Sequence, residues 1–325
     1  MGARILGTGR SVPGKTVTNA ELERLVKTSD EWIVQRTGIR TRHLLDDGDV
    51  PSDMGVEAGL RAIEAAALEP SAVDLLVVAT TFPDMICPGT AAFVAQGLGL
   101  GDVPFFDLKA GCTGFVYALG VADALVRAGL CRHPLVLGFE ALSRVTDWAD
   151  RQTCVLFGDG AGAVVLAAGD DRSGVLGTAL YGDAEKSLLL HMPSGGTRAP
   201  ASVETVEARE HFIKMEGSGV FRSAAPMMEK ATRNALSSAS LALEDVDWII
   251  PHQANVRIID ALIRRLGVDP DRVITNLDRV ANTSAASIPI ALDEAVRDGT
   301  IQAGDVVALT GFGAGVTYGA VIVRI

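Results

Sequence analysis

The sequence predicts an α/β protein assembled from two copies of one βα module. Short apolar runs of β-type residues alternate with longer helical stretches. Blocks in the second half repeat blocks in the first in the same order. Glycine-rich strings recur at matching places in both halves. The chain has 325 residues, is 48% hydrophobic and carries 35 glycines, which suits two compact halves with many tight turns.

In chain order, Arg4-Ile5-Leu6 reads as a first strand. A helix is predicted around Val56 to Ala67, followed by a buried strand at Leu75 to Thr80. Pro104 to Leu108 reads as another strand, and Thr113 to Ala128 as a long apolar helix ended by Gly129. Strands at Leu135 to Gly138 and Ala163 to Ala168 close the first half. In the second half, Trp248 to Pro251 reads as a buried strand, Val256 to Leu266 as a helix and Tyr318 to Val323 as a strand.

The repeat fixes the organisation. Ala124-Leu-Val-Arg-Ala-Gly129 matches Glu294-Ala-Val-Arg-Asp-Gly299 at an offset of 170 residues, which superposes Cys112 on Asn282 and Thr113 on Thr283. Ala72 to Val77 resembles Asp245 to Ile250, and Phe157 to Ala163 echoes Gly311 to Val316. The polar stretch Gly169 to Gly174 marks the boundary, giving halves at 1–170 and 171–325. Equivalent positions of such a pair meet near its internal axis, so Cys112 and Asn282 are expected at helix starts around one pocket.

Composition excludes several classes. The formal charge of −11 argues against general nucleic-acid binding. No run of 18 apolar residues suggests a membrane span, and the N-terminus is too quickly polar for a signal peptide. Cys87, Cys112, Cys131 and Cys154 lack CxxC spacing and read as free thiols of a reducing cytoplasm. No two histidines have metal-ligand spacing, so no metal is expected.

Three segments carry candidate chemistry: Ala110 to Phe115 with Cys112, Pro251 to Asn255 with His252, and Ala281 to Ser287 with Asn282. A helix N-terminus favours a thiolate, so Cys112 is expected to have a lowered pKa, and its N–H can hold an oxyanion. His252 follows a buried strand, where α/β sites gather. His43, His133, His191 and His211 read as ordinary surface or capping residues. The string Gly158 to Ala163 satisfies GxGxxA by letter, but a β-type run follows it where a dinucleotide site needs a helix, so it reads as a turn. The density of Gly311, Gly313 and Gly315 suggests close approach of backbone to a ligand. Arg257 and Arg264 share one helix face beside His252, with Arg265 adjacent, and form a candidate basic docking surface.

The chain resembles the β-ketoacyl-acyl-carrier-protein synthase III family of thiolase-fold condensing enzymes. The resemblance covers essentially the whole chain and rests on Thr28 to Val34, Arg36 to Arg40, the Cys112 segment, Asp150-Arg151, Phe157 to Gly162, His252 to Arg257, Asn282 to Ser287 and Gly311 to Gly315. It implies a layered α-β-α-β-α thiolase-like body and a homodimer. It implies decarboxylating condensation of an acyl-CoA primer with malonyl-acyl carrier protein, through an acyl group on Cys112. His252 and Asn282 would bind the malonyl thioester carbonyl, and the N–H groups of Cys112 and Ala314 would form the oxyanion hole. Trp32, Arg36 and Arg151 would clamp CoA. Leu142, Phe157 and Phe312 would line the acyl pocket, with Cys87 closing it from the partner subunit. Cys87 is smaller than an aromatic residue, which hints at a primer larger than acetyl. Arg222 would stand near the carrier-protein entrance with Arg257, Arg264 and Arg265. The resemblance implies no cofactor beyond the CoA thioester substrate, and a cytoplasmic enzyme without membrane or nucleic-acid partners. Competing readings are an acyltransferase or starter-unit enzyme of the same fold serving a polyketide pathway and, more remotely, a non-catalytic partner subunit.

Overall fold

The computed structural model describes residues 2–169 and 173–325. Two sheets run through it. The first contains β1 (Ala3–Ser11), β2 (Leu75–Ala79), β3 (Phe105–Leu108), β4 (Pro134–Ala141) and β5 (Asp159–Ala168), in the spatial order β1-β5-β4-β2-β3. The second contains β6 (Gly174–Gly182), β7 (Trp248–Pro251), β8 (Val306–Gly313) and β9 (Thr317–Arg324), in the order β6-β9-β8-β7. Sense matches strand for strand. β2 is parallel to β4 as β7 is to β8, and the β1–β5, β5–β4, β6–β9 and β9–β8 pairs are antiparallel. Only β3, parallel to β2 at the sheet edge, has no counterpart.

Side-chain alternation builds the layers. Leu76 and Val78 of β2 face outward onto helices α2 (Pro51–Ala65) and α3 (Ala91–Leu98). Leu75, Val77 and Ala79 face inward onto α4 (Gly114–Arg127). In the second sheet Val307 and Leu309 point to the same inner cluster. Val306 and Ala308 pack under α5 (Gly217–Ser238) and α6 (Val256–Leu266). With α4, α7 (Ser287–Arg297) completes the middle layer. The body is therefore α-β-α-β-α, a duplicated thiolase-like fold. The polar stretch expected at the boundary between the halves lies largely in residues 170–172, outside the described residues.

Two glycine strings behave differently from the sequence expectation. Asp159 to Gly162 belongs to β5 and is not a turn. Its glycines admit α7: a Cβ on Gly162 would stand 2.7 Å from Pro289 Cβ and 2.8 Å from Ile290 N. Gly311 and Gly313 lie within β8, and a Cβ on Gly313 would meet Cys112 N at 2.4 Å. That close approach is to another turn of the chain itself. Among the described residues, no helix is long and apolar enough to cross a membrane.

Candidate active site

Both middle helices begin with a 3-10 turn, and both turns carry candidate residues. Gly111–Thr113 precedes α4, and Ser284–Ala286 follows Asn282 and precedes α7. Gly111 has φ +55, and a Cβ there would meet Ala314 N at 2.5 Å. The Cys112 and Ala314 main chains are thereby pressed together, which only glycine permits. Asn282 is pinned by its backbone: its N–H donates to Leu156 O at 3.0 Å and its carbonyl accepts from Gly158 N–H at 3.0 Å.

Cys112 is buried, and burial pushes its thiol up to about 11. The lowering expected from the helix start is overruled. A helix end is worth about 0.3–1 kcal/mol, whereas full desolvation shifts a group by several pKa units. The Ser284 hydroxyl pulls it partly back down, and the Glu140 carboxyl raises it further. The resting nucleophile is thus a thiol.

His252 is buried at the end of β7, with its N–H donating to Thr310 O at 2.8 Å. Burial alone lowers its imidazole to about 3, so it is neutral. Its Nδ1 lies 2.7 Å from Ser287 Oγ, which also accepts the Gln253 N–H at 3.3 Å. In the tautomer where the Ser287 hydroxyl donates to Nδ1, the ring hydrogen sits on Nε2. The Asn282 Oδ1 accepts the Ser284 N–H at 2.9 Å, which leaves its amide NH₂ as a free donor. Ser284 and Ser287 were inside a motif read from the sequence, yet no role attached to them. Only contacts across 35 and 144 residues, to His252 and Glu140, reveal one.

Two cavities meet at Cys112, Phe157 and Leu190. The outer one, about 450 Å³, is lined by His252, Asn282, Trp32, Arg36, Arg257 and Phe312. The inner one, about 830 Å³, is lined by Leu142, Phe157, Ser284, Ala314, Met85 and Ile86. Phe312, expected in the acyl pocket, therefore stands in the outer chamber. Its register on β8 turns it toward the α5–α6 side. Cys87 is exposed and outside the lining of its own chain's cavity. His191, expected as a simple surface or capping residue, borders the inner cavity with its Nδ1 at 2.9 Å from Leu188 O.

Trp32 is half-buried at the outer mouth. The Arg151 guanidinium lies 4.6 Å from its ring centroid and that of Arg36 6.0 Å. Arg257, exposed at the start of α6, covers the Phe221 ring at 5.1 Å. Arg222 faces Glu216 at 3.7 Å, and Arg264 is exposed. Arg265 turns away to bind Glu229 at 2.7 Å, so its charge is already matched within the chain.

A buried thiol on one chamber wall, faced by two neutral donors and backed by an apolar chamber, defines a condensing enzyme of the thiolase fold. Comparison with known proteins narrows the class. Residues 106–184 match the family model for 3-oxoacyl-[acyl-carrier-protein] synthase III, and residues 236–325 match the model of its C-terminal part. The β-ketoacyl-[acyl-carrier-protein] synthase III of Desulfitobacterium hafniense is 48% identical over 320 residues, 98% of this chain and 97% of that one. The Rhizorhabdus wittichii protein of the same name is also 48% identical, over 99% of both chains. The crystal structure of 3-oxoacyl-[acyl-carrier-protein] synthase III from Aquifex aeolicus superposes with a TM-score of 0.92 at 41% identity, covering 100% of both chains. The chain belongs to the β-ketoacyl-[acyl-carrier-protein] synthase III family and is an acyltransferase of the condensing type.

Proposed function

We propose that this chain condenses an acyl-CoA primer with malonyl-acyl carrier protein, releasing CO₂ and initiating fatty-acid synthesis. The observation that carries this reading is the meeting of two chambers at Cys112, with His252 and Asn282 on the outer one only. Cys112 sulfur attacks the acyl-CoA carbonyl, and the C–S bond to CoA breaks as the acyl–Cys112 bond forms. The N–H groups of Cys112 and Ala314 hold the transient oxyanion. Trp32, Arg36 and Arg151 grip the nucleotide end of CoA at the outer mouth. The acyl chain lies in the inner chamber against Leu142 and Phe157.

Malonyl-carrier protein then fills the outer chamber. His252 Nε2–H and the Asn282 amide donate to its thioester carbonyl. The carboxylate C–C bond breaks, and its electron pair becomes an enolate held by those two donors. The enolate carbon attacks the acyl–Cys112 carbonyl, expelling the Cys112 thiolate and leaving a β-ketoacyl thioester. Neutral donors suit this step, because decarboxylation develops negative charge on oxygen without needing a proton there. The CoA thioester is a substrate, and no resident cofactor is required by this chemistry.

The working unit is a homodimer. The edge strand β3 presents Phe105 and Phe106 at 46% and 37% exposure, beside Met85 and Ile86 at 55% and 84%. Covering that apolar edge would bring Cys87 of the partner subunit to the inner chamber. The chamber volume supports a primer longer than acetyl. Four unpaired thiols suit a cytoplasmic setting. Mass spectrometry after incubation with acyl-CoAs of two to sixteen carbons tests the reading. Acyl mass is expected on the Cys112 peptide, with yield extending beyond two carbons. Acylation confined to Cys87, Cys131 or Cys154 would overturn it.

A further inference from the structure

Glu140 is a fully buried carboxyl that the mechanism above leaves unused. It sits near the end of β4, behind the wall of the inner chamber. Its Oε1 accepts the Thr81 N–H at 2.7 Å and its Oε2 accepts the Phe82 N–H at 3.2 Å and the Thr80 hydroxyl at 3.3 Å. The Ser284 hydroxyl reaches Oε1 at 3.4 Å. Ser284 and Cys112 line the same chamber, and the Ser284 hydroxyl is close enough to the sulfur to lower the thiol's pKa. Ser284 holds this place with a left-handed backbone, φ +51, a conformation costly for a side-chain-bearing residue. Its N–H meanwhile orients Asn282. One serine thus joins the nucleophile, a buried acid and an enolate donor.

We propose that Glu140, acting through Ser284, holds the proton of Cys112 during acyl transfer. As the sulfur attacks the acyl-CoA carbonyl, the thiol proton passes to Ser284 Oγ, and the hydroxyl proton of Ser284 passes to Glu140. The CoA thiolate leaves and is protonated by solvent. After condensation expels the Cys112 thiolate, Glu140 returns the proton along the same path. Overall one proton is consumed from water per turnover, as the release of neutral CoA and CO₂ requires. Ser284 carries the proton across the chamber wall it shares with Cys112, and Glu140, acting through Ser284, is a positioning residue.

The electrostatics suit the task. Burial raises Glu140 to about 7, so it is a carboxylate above neutrality and a fair proton acceptor, while burial raises the thiol to about 11. Other titratable groups surround the pair. Asp84, Asp107, Lys109 and His191 line the inner chamber, and His252 the outer one. Asp84 is tied to Ser52 and Asp107 to the Thr90 and Ala91 N–H groups. Among these groups only Glu140 is hydrogen-bonded to the Ser284 hydroxyl.

The inference rests on Cys112 as the nucleophile, and the test separates the two. The rate of Cys112 alkylation by iodoacetamide is followed from pH 5 to 10 by peptide mass spectrometry. Wild type, Ser284→Ala and Glu140→Gln are compared, with acylation by acyl-CoA measured alongside. In the wild type the rate should rise to a plateau near pH 7, where Glu140 ionises. In Ser284→Ala the plateau should vanish, leaving a rise of about tenfold per pH unit toward the thiol's own titration. At pH 8 that variant should react at least tenfold more slowly in both assays. Ser284→Ala keeps the main chain that holds Asn282, so it covers the case in which Glu140→Gln, with an amide forced against backbone N–H groups, fails to fold. Identical pH profiles in wild type and Ser284→Ala would overturn the relay while leaving Cys112 as nucleophile. Wild-type label absent from Cys112 would overturn the nucleophile itself, and the relay with it.

Discussion

Gly111-Cys112-Thr113 and Ala281-Asn282-Thr283 stand at equivalent positions of the repeat in the two halves of the molecule. Both enter a middle-layer helix, and both first residues are left-handed, with φ +55 at Gly111 and +62 at Ala281. In the first half the position must be glycine, because Ala314 N lies where a Cβ would be. In the second, alanine tolerates a conformation that costs on the order of 1–3 kcal/mol, held by Ala281 N–H to Leu277 O and Asn282 N–H to Leu156 O. Duplication kept the place of the segment ahead of a middle helix while the local turn and the chemistry diverged. The first half supplies a thiol whose ionisation is suppressed by burial, and the second supplies two donors that are neutral.

That division should be separable by mutation. His252→Ala and Asn282→Ala are expected to lower condensation and malonyl decarboxylation about a hundredfold or more, while still permitting acylation of Cys112. Single-turnover acylation and decarboxylation, measured separately, check this. Wild-type decarboxylation in either variant would erase the distinction between the halves. The pH dependence sharpens it. His252 is neutral in the folded protein down to about pH 3, so acyl-enzyme decarboxylation should show no imidazolium limb between pH 5 and 8. In the unfolded chain the imidazole charges below about pH 6.5. Unfolding therefore takes up a proton below that pH, and this group's contribution weakens the fold as pH falls from about 6.5 to 3.

A smaller effect is expected away from the reacting atoms. Trp32 and Arg36 belong to the first half but line the chamber that the second half's donors line, and Arg151 stacks on Trp32 from outside it. A ring–guanidinium stack is worth about 0.5–2 kcal/mol. Trp32→Ala or Arg151→Ala should raise KM for acyl-CoA severalfold to about thirtyfold, with kcat within about a factor of two, because these groups touch a remote part of the substrate. Steady-state kinetics with a fixed carrier-protein concentration measure it. Unchanged KM in both variants would move CoA binding elsewhere.

Local pattern made the architecture readable, and with it the grouping of Cys112, His252 and Asn282 around one chamber. Trp248–Pro251 and Val256–Leu266 fall where the apolar runs end, because β-type residues and a 3.6-residue period dictate them. The 170-residue repeat placed Cys112 opposite Asn282 before any coordinates did. Three things were not readable. Asp159 to Gly162 looks like a turn, because glycine in a strand is locally unfavourable and only the approach of Pro289 and Ile290 explains it. The Cys112 pKa runs opposite to the local helix-end argument, since burial is a property of the whole fold. Glu140 and Ser287 act through contacts that no short window contains.

The weakest and most informative contrast lies along α6. Arg257 and Arg265 sit on the same helix and carry the same charge, yet their surroundings differ. Arg265 Nε binds Glu229 at 2.7 Å, an acid that also pairs with Arg233 at 3.1 Å, so its field is partly offset close to its source. Arg257 covers the Phe221 ring at the mouth of the outer chamber and stands one turn from His252. An acidic carrier protein approaching a chain of net charge −11 needs a local positive patch, and only an unmatched charge can steer it. Arg257→Glu should therefore slow use of malonyl-carrier protein by about threefold to tenfold at low salt and flatten its ionic-strength dependence. Acylation by acyl-CoA should change less. Arg265→Gln should leave both nearly unchanged, because it removes a charge the carrier protein does not sense. Rates measured from about 20 to 300 mM salt decide between them. Equal effects of the two substitutions would place docking further along α6, toward exposed Arg264, and away from the chamber mouth.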